Sequence, residues 1–252
     1  MTQEKASISV RVDVTNPGQF FACCGLLELA SRLWPGVEGW FGEGVFNITA
    51  KGSEVPSLAA LIGCLKSEQV VSDDLDADDE TCPIRIGGGF NLRVDWWRDK
   101  EDVRRMKTWA GRQGVLSIAQ AMHEKLPVTT SERILDEGIA MKAPYYFDSR
   151  RFAHALDAGF SLDEQKMKVV AYPAVELLAL IGLQRFRPAV TDDRWTFCYH
   201  TWSYPLMPSP ASAVCSGAIG GGREQYHFRV RFRDDQKRFK AFTRATPKQQ
   251  TA

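Results

Sequence analysis

Apolar and polar residues alternate near both ends of the chain, and this alternation predicts β-strands. Over residues 7–14 the apolar side chains share one face and the polar side chains share the other. The same period of two recurs in YHFRVRFR, residues 226–233. A strand in that register would bury its aromatic and aliphatic face in the core. Its outer face would then carry His227, Arg229, Arg231 and Arg233.

Apolar residues at helical spacing predict four helices. The first covers residues 17–33, where a proline suits the first turn and Asn16 suits the N-cap. Two further helices are predicted over residues 57–66 and 113–125, each with one apolar face. Residues 173–184, PAVELLALIGLQ, are apolar all round and predict a helix buried in the core.

Shorter apolar runs complete the set of predicted elements. Strands are predicted over residues 44–50, 83–86, 90–96 and 194–202. Residues 205–210 form a proline-rich connector. The order of elements indicates an α+β fold in one domain, residues 1–252, and a ferredoxin-like, RNA-recognition-motif core would accommodate it. Insertions into that core are expected at an acidic loop, residues 67–81, and at an irregular segment, residues 127–165.

The charged residues are unevenly distributed, although the net charge is only +1. Residues 66–80 contain seven acidic residues and one basic residue, whereas residues 223–252 contain nine basic residues and three acidic ones. A chain without global positive charge binds a polyanion only through charge that is arranged locally. The basic C-terminal segment is the first place where such an arrangement is expected.

Three glycines lead into the C-terminal strand and give it a second feature of an anion site. Gly220, Gly221 and Gly222 permit close approach and expose amide N–H groups, and Arg223 follows them directly. Along the strand the outer side chains recur about every 7 Å, because each residue advances the chain by about 3.4 Å. Guanidinium groups at this pitch can follow a sugar-phosphate backbone without reading sequence. A solvated edge strand behind a flexible turn is the alternative.

A second basic cluster alternates with tryptophans and is a further candidate for nucleic-acid binding. Its basic members are Arg93, Arg98, Lys100, Arg104, Arg105, Lys107 and Arg112. Trp96, Trp97 and Trp109 could stack on bases while the cations neutralise phosphates. Equally, the tryptophans could belong to the core and the charges to a solvated helix surface. Arg150 and Arg151, which follow an aromatic run, form a third candidate.

The sequence lacks the motifs of common catalytic sites. It has no Walker loop, GxSxG or HExxH motif, and its six cysteines and four histidines show no zinc-ligand spacing. We therefore expect no metal and no cofactor. His154 and His227 are candidate general bases of a metal-independent ribonuclease. Cysteines placed among apolar residues fit a reducing cytoplasm, and no apolar run is long enough to span a membrane.

The stretch VTNPGQFFACCGLLELASRLWPGVEGWF, residues 14–41, is similar to a known family. It resembles the N-terminal signature of the third subtype-specific Csb protein of type I-U CRISPR systems, now usually called type I-G. Members of that family begin with a short strand and a helix that reads close to NPGQ-F-A-x-x-G-x-x-E-x-A. The matching residues are Asn16, Pro17, Gly18, Gln19, Phe20, Ala22, Gly25, Glu28 and Ala30. The block covers about a tenth of the chain.

The glycine-rich loop near the C-terminus resembles a loop of the RAMP superfamily, the ferredoxin-like subunits of CRISPR effector complexes. The similar residues are Gly217, Gly220, Gly221 and Gly222. The two resemblances imply a non-catalytic subunit that binds CRISPR RNA, or target DNA, together with other effector subunits. Two alternatives stay open. One is a CRISPR RNA-processing endoribonuclease of related fold, and the other is an adaptor that binds only proteins.

Overall fold

The computed structural model describes residues 6–52, 55–74, 76–109, 113–127, 131–142, 144–152, 169–233 and 239–248. Its helices are α1 (Pro17–Leu33), α2 (Leu58–Ser67), α3 (Glu101–Arg104), α4 (Val115–Glu124), α5 (Pro173–Arg185) and α6 (Pro208–Cys215). Its strands are β1 (Ile8–Arg11), β2 (Val37–Phe41), β3 (Val45–Ala50), β4 (Val70–Ser72), β5 (Ile84–Ile86), β6 (Leu92–Val94), β7 (Ile139–Met141), β8 (Val169–Ala171), β9 (Ala189–Val190), β10 (Thr196–His200), β11 (Gln225–Phe232), β12 (Lys240–Phe242) and β13 (Thr246–Pro247). The α+β class expected from the sequence is confirmed.

Within the described part of the chain, the strands form four antiparallel sheets. The first has the order β1-β3-β2, and its register places Ile8 opposite Ile48. The second has the order β12-β11-β10-β9, with β13 also paired to β11. The two smaller sheets are β4-β5-β6 and β7-β8. β11 therefore has strands on both sides and is not an edge strand.

The two larger sheets are joined at the edge of β2. The amide of Phe41 donates to the carbonyl oxygen of Trp202 at 2.9 Å, and Gly39 and Leu206 form an antiparallel bridge. The indole N–H of Trp202 also donates to the carbonyl oxygen of Gly39 at 2.7 Å. The chain that leaves β10 thus continues along β2, and both sheets cover the same hydrophobic core.

α1 and α5 pack against each other inside this core through two glycines. A Cβ atom at Gly25 would lie 2.0 Å from the carbonyl oxygen of Leu178. A Cβ atom at Gly182 would lie 2.1 Å from the carbonyl oxygen of Phe21. Because glycine has no Cβ, the two helix backbones can come this close. The all-apolar sequence of α5 is explained, since its residues from the first turn to Leu183 are buried.

The first turn of α1 is fixed by its N-cap, as the sequence predicts. The side-chain oxygen of Asn16 accepts hydrogen bonds from the amides of Gly18 at 3.1 Å and Ser149 at 3.0 Å. Its side-chain amide donates to Asp148 at 2.8 Å. The Asn-Pro-Gly-Gln turn therefore caps the helix and ties it to a loop more than a hundred residues later in the chain, with separations of 132 and 133 residues.

The structure differs from the sequence prediction in four segments that bear on the site. β2, whose sequence VEGWF has no clear apolar period, was not predicted. Residues 205–210 are not a plain connector, because α6 begins at Pro208, where proline suits the first helical turn. The acidic loop contains β4 and tight turns, and the irregular segment contains β7 and lies partly outside the described residues. None of the described helices is long and apolar enough to cross a membrane.

Candidate nucleic-acid interface

β11 is extended and faces the core with its apolar side, as predicted. Tyr226, Phe228 and Val230 are buried. The Phe228 ring lies 4.8 Å from that of Phe242 in β12 and 5.6 Å from that of Phe197 in β10, measured between ring centroids. With paired strands on both sides, β11 has a fixed backbone, which sets the positions from which its outer side chains extend.

Two arginines of the predicted row are exposed on that outer face. The side chain of Arg229 is 52% exposed, and Arg231 is also exposed. A guanidinium nitrogen of Arg229 lies 2.7 Å from a carboxylate oxygen of Asp193. Hydrogen bonds from the Trp195 amide and the Thr196 hydroxyl, together with Arg229, lower the pKa of Asp193. One of the two arginines therefore already has an exposed carboxylate partner from its own chain.

The position of Arg233 contradicts the prediction that four side chains share the outer face of β11. β11 ends at Phe232, and the amide of Arg233 donates to the carbonyl oxygen of Phe239, the residue before β12, at 2.7 Å. Arg233 is only 6% exposed, and its guanidinium carbon lies 3.4 Å from the centre of the Tyr146 ring. Its charge therefore does not reach the outer surface.

The glycine loop before β11 packs against side chains of its own protein. A Cβ atom at Gly221 would lie 2.1 Å from the hydroxyl oxygen of Tyr204, and φ at Gly221 is +105°. A Cβ atom at Gly222 would lie 2.9 Å from the Cβ of His200. Gly220 is different, because nothing lies within 4 Å of its Cβ position. Two of the three glycines thus have a structural requirement, and only Gly220 faces open space.

Arg223, at the end of this loop, lies beside a pocket of about 200 Å³. The pocket is formed by the turn between β2 and β3 and by the segments that flank the glycine loop. Its wall includes Val14, Phe41, Glu43, Thr201, Arg223 and Glu224. Sequence reasoning did not find this pocket, since its residues come from separate parts of the chain.

His227 lies on the outer face of β11 but is half-buried. Its Nε2 atom is inaccessible to solvent and has no hydrogen-bond partner among the described residues. Burial lowers the pKa of His227, and the positive charges of Lys248 and His200 lower it further. Lys248 reaches this position because β13 pairs with β11. The sequence indicated the basic C-terminal segment but not that Lys248 would lie beside His227.

The second basic cluster forms ion pairs with the acidic loop and with carboxylates of its own segment. Among the described residues its ion pairs, given by the shortest nitrogen-to-oxygen distance, are Arg93–Asp95 at 2.9 Å, Arg93–Asp73 at 3.1 Å, Arg98–Asp74 at 3.8 Å, Arg105–Glu101 at 2.9 Å, Arg105–Asp102 at 2.6 Å and Lys107–Glu80 at 2.6 Å. Arg104 is exposed, and Arg112 lies outside the described residues. Most of these cations therefore already have a carboxylate partner that a phosphate would have to replace.

The tryptophans of this cluster belong to the core, so the hypothesis that they stack on bases is wrong. Trp96, Trp97 and Trp109 are each at most 2% exposed. Their rings pack edge to face with centroid distances of 5.5–5.8 Å. Each indole N–H donates to a backbone carbonyl oxygen, which satisfies the one polar group of the side chain.

The third candidate, Arg150 and Arg151, is also committed to contacts within the protein. Arg150 donates to Asp148 and Asp136, and its guanidinium carbon lies 3.5 Å from the centre of the Tyr172 ring. Its side chain is 29% exposed. The Nε atom of Arg151 is inaccessible to solvent and has no partner among the described residues. His154, the other candidate base, lies outside the described residues.

A buried pair of acidic residues lies behind Arg150 and was not predicted. Asp148 and Glu176 are fully buried, and Glu176 accepts hydrogen bonds from the amides of Phe147 and Asp148. Burial and the charge of Asp148 raise the pKa of Glu176 to about 8, although the two amides and Arg151 act in the opposite direction. The signal in the sequence was a single glutamate inside the apolar segment that forms α5.

Comparison of this chain with protein-family models, with curated proteins and with solved structures gives no match. Within the described residues, no three histidine, cysteine, aspartate or glutamate side chains converge to hold a metal ion. The function is therefore inferred from the residues themselves and from the resemblances in the sequence.

Proposed function

We propose that this protein is a nucleic-acid-binding subunit of a type I-U/I-G CRISPR effector complex and has no catalytic role of its own. In this proposal it holds the sugar-phosphate backbone of guide RNA, or of target DNA, along the outer face of β11. The observation that carries the proposal is the exposure of Arg229 and Arg231 on a strand whose opposite face is anchored in the core.

The strand presents these charges at a spacing that suits a phosphate chain. Arg229 and Arg231 are two residues apart, so their attachment points are separated by about 7 Å. Arg223 lies two residues before β11 begins and is also exposed. Among the described residues, no carboxylate lies within 4 Å of the guanidinium nitrogens of Arg223 or Arg231. Their charge is available to a ligand.

The ion pair between Arg229 and Asp193 does not prevent binding. Both side chains are about half exposed, at 52% and 46%, and exposed pairs of this kind contribute little to stability. A phosphate group, which forms strong charge-assisted hydrogen bonds with a guanidinium, can replace the carboxylate. The pair lowers the affinity for a polyanion without removing it.

The proposed ferredoxin-like core is supported by the position of the two long helices. α1 follows β1 and precedes β2 and β3, while α5 precedes β9, β10 and β11. Each helix thus belongs to a unit with antiparallel strands, and the two units meet through the contact between α1 and α5. In this proposal, the smaller sheets and α2 to α4 are insertions between the two units.

The test is a titration of the purified full-length chain with labelled single-stranded RNA at several salt concentrations. Replacing both Arg229 and Arg231 by alanine is expected to weaken binding and to reduce the slope of log K against log salt by about 1.4, since each phosphate contact contributes about 0.7. The matched control replaces Arg11 and Arg133, two other exposed arginines, and is expected to keep the slope. Equal affinity and slope in wild type and the β11 variant would exclude this surface.

A further inference from the structure

The turn between β9 and β10 brings a further arginine, Arg194, beside the end of β11. On one side of Arg194, the carboxylate of Asp193 pairs with Arg229 on the outer face of β11. On its other side, the ring of Trp195 packs against that of Phe232, the last residue of β11, with 5.7 Å between the ring centroids. Arg194 is exposed and therefore lies next to the proposed interface.

Lys240 links this turn to the end of α3. Its ammonium nitrogen donates to the carbonyl oxygen of Arg105, the residue after α3, at 3.2 Å. The same nitrogen lies 5.7 Å from the centre of the Trp195 ring. An ion pair between Arg187 and Asp99 also joins the segment before β9 to the segment before α3. α3 and the turn before β10 therefore lie side by side at one corner of the molecule.

Lys100, the N-cap of α3, and Arg104, its last residue, are two exposed cations at this corner. The amide of Arg104 donates to the carbonyl oxygen of Lys100 at 3.1 Å, so the two residues are one helical turn apart and share one side of α3. Glu101 and Asp102, the carboxylates of the same helix, both pair with Arg105. Among the described residues, neither Lys100 nor Arg104 has a carboxylate within 4 Å.

The cations of the turn and of α3 act on the same surroundings. The hydrogen bond and the charge of Arg105 lower the pKa of Glu101, and the charges of Arg194 and Arg104 lower it further. Within the described part of the chain, Arg194 also has no carboxylate within 4 Å. Arg194, Arg104 and Lys100 therefore form one positive surface, and a polyanion would relieve the repulsion among them.

We infer that the nucleic-acid strand that follows β11 continues past this turn onto α3, where Arg194, Lys100 and Arg104 hold further phosphates of the same strand. This inference rests on the proposed function. The contacts are to the backbone, because Trp96 and Trp97, the tryptophans that precede α3, are buried and their rings are not available for stacking on a base. The interface therefore extends beyond the face of one strand and remains indifferent to base sequence.

The test is a titration of the full-length chain with one labelled single-stranded RNA at several salt concentrations. The corner variant combines Lys100→Ala, Arg104→Ala and Arg194→Ala. It is expected to reduce the slope of log K against log salt by about 2, since each phosphate contact contributes about 0.7. All three side chains are exposed, so the melting temperature is expected to stay at the wild-type value.

The control variant combines Arg11→Ala, Arg133→Ala and Lys142→Ala, which are exposed residues of the same types on other elements. It removes the same charge and is expected to keep the wild-type slope. Equal losses in the corner and control variants would mean that only net charge matters, and would overturn the inference. A further variant, Arg104→Lys with Arg194→Lys, retains both charges and is expected to keep most of the slope. Loss of the slope in that variant would also contradict a role for charge.

Continuity with β11 is tested by combining the corner variant with Arg229→Ala and Arg231→Ala. One continuous path predicts one RNA per chain at saturation and slope reductions that add to about 3.5 in the combined variant. Two RNAs bound per chain would show two separate sites and overturn the continuation.

The outcomes separate this inference from the proposed function. If the corner variant keeps the wild-type slope while Arg229→Ala with Arg231→Ala lowers it, the inference fails and the β11 interface stands. If only the corner variant weakens binding, the β11 surface and its continuation are both wrong. If the wild-type chain binds no RNA, both fail.

Discussion

The guanidinium group of Arg233 is stacked on the ring of Tyr146, with 3.4 Å between the guanidinium carbon and the ring centre. Both residues are almost completely buried. Tyr146 has a φ of +67°, a conformation that is unfavourable for a residue with a side chain. The carbonyl oxygen of Tyr146 also accepts from the amide of Phe242 in β12 at 3.1 Å. The stack thus ties the end of β11 to the loop that leads to Arg150.

Replacing Arg233 by alanine is expected to lower the free energy of unfolding by about 2 kcal/mol or more, because a buried cation–π contact is lost. Arg233→Lys should retain the charge but not the planar stacking, and should also be destabilised. Urea denaturation measures both effects. RNA affinity of the folded variants is expected to stay close to wild type. If the Arg233→Ala variant is stable but binds RNA weakly, Arg233 contributes to RNA binding after all.

The glycine loop allows a comparison between neighbouring positions. Gly221→Ala should lower the melting temperature and displace Tyr204, because φ is +105° and the new Cβ would collide with the Tyr204 hydroxyl. Gly220→Ala should leave stability unchanged, because its Cβ position is open. Thermal denaturation and RNA titration of both variants check this. Loss of RNA affinity in a stable Gly220→Ala variant would show that the loop itself contacts the ligand.

Asp193 is expected to compete with phosphate for Arg229. Asp193→Asn should therefore increase RNA affinity about two- to threefold at low salt, because removing a surface carboxylate frees the guanidinium and reduces repulsion. Asp192→Asn removes the same charge from the adjacent exposed residue and should have a smaller effect. The comparison is made by fluorescence anisotropy. Equal effects of the two variants would mean that only the overall charge matters.

Glu176 should make stability depend on pH. Its pKa is raised to about 8 in the folded protein, above the value of about 4.3 for an unfolded chain. The folded state therefore holds the proton more tightly, and its contribution is fully present below about pH 4 and is lost as pH rises toward 8. The free energy of unfolding should fall by up to about 1.4 kcal/mol per pH unit between these limits.

Glu176→Gln tests the assignment of this dependence. The variant loses one acceptor for a backbone amide and should be less stable at pH 5, but its stability should change less between pH 5 and pH 8. Denaturation curves at several pH values measure the slope. The same slope in wild type and variant would assign the titration to other groups.

Repeat RNA incubated with the purified chain in EDTA is expected to remain intact, in agreement with a binding role. Among the histidines of the described chain, His227 lies closest to the arginines of β11, but its Nε2 atom is inaccessible to solvent. Gel analysis of labelled RNA over several hours checks this. Cleavage that His154→Ala or His227→Ala abolishes would instead support the endoribonuclease.

Features that depend on neighbouring residues in the sequence were predicted well. The predicted ends and N-cap of α1 agree with the structure. They are determined by residues close in the sequence, Asn16 and Pro17 at the start and Trp34 at the end. The inward face of β11 followed directly from its alternation. The position of Arg233 did not, because its burial depends on the ring of Tyr146, which belongs to a segment far away in the sequence.

Features that depend on contacts between distant segments could not be read from the sequence. The acidic loop and the second basic cluster were recognised separately, but their mutual ion pairs depend on the sheet β4-β5-β6, which brings Asp73 beside Arg93. The pocket at Thr201 likewise requires the junction of the two larger sheets. The hydrophobic period and the composition of the sequence carry no information about contacts between distant segments.

The close crossing of Gly25 and Gly182 has a consequence for synthesis on the ribosome. The ion pair between Glu28 and Arg185 at the same helix contact joins residues 157 positions apart. α1 is apolar along most of its length. Its apolar surface stays exposed until α5 has left the exit tunnel and can pack against it. At elongation rates of about 5–20 residues per second, the nascent N-terminal third waits on the order of ten seconds or more for its partner. Premature release, or a delay at codons between the two helices, would leave a partly folded intermediate with the apolar surface of α1 exposed. Such an intermediate would need a chaperone.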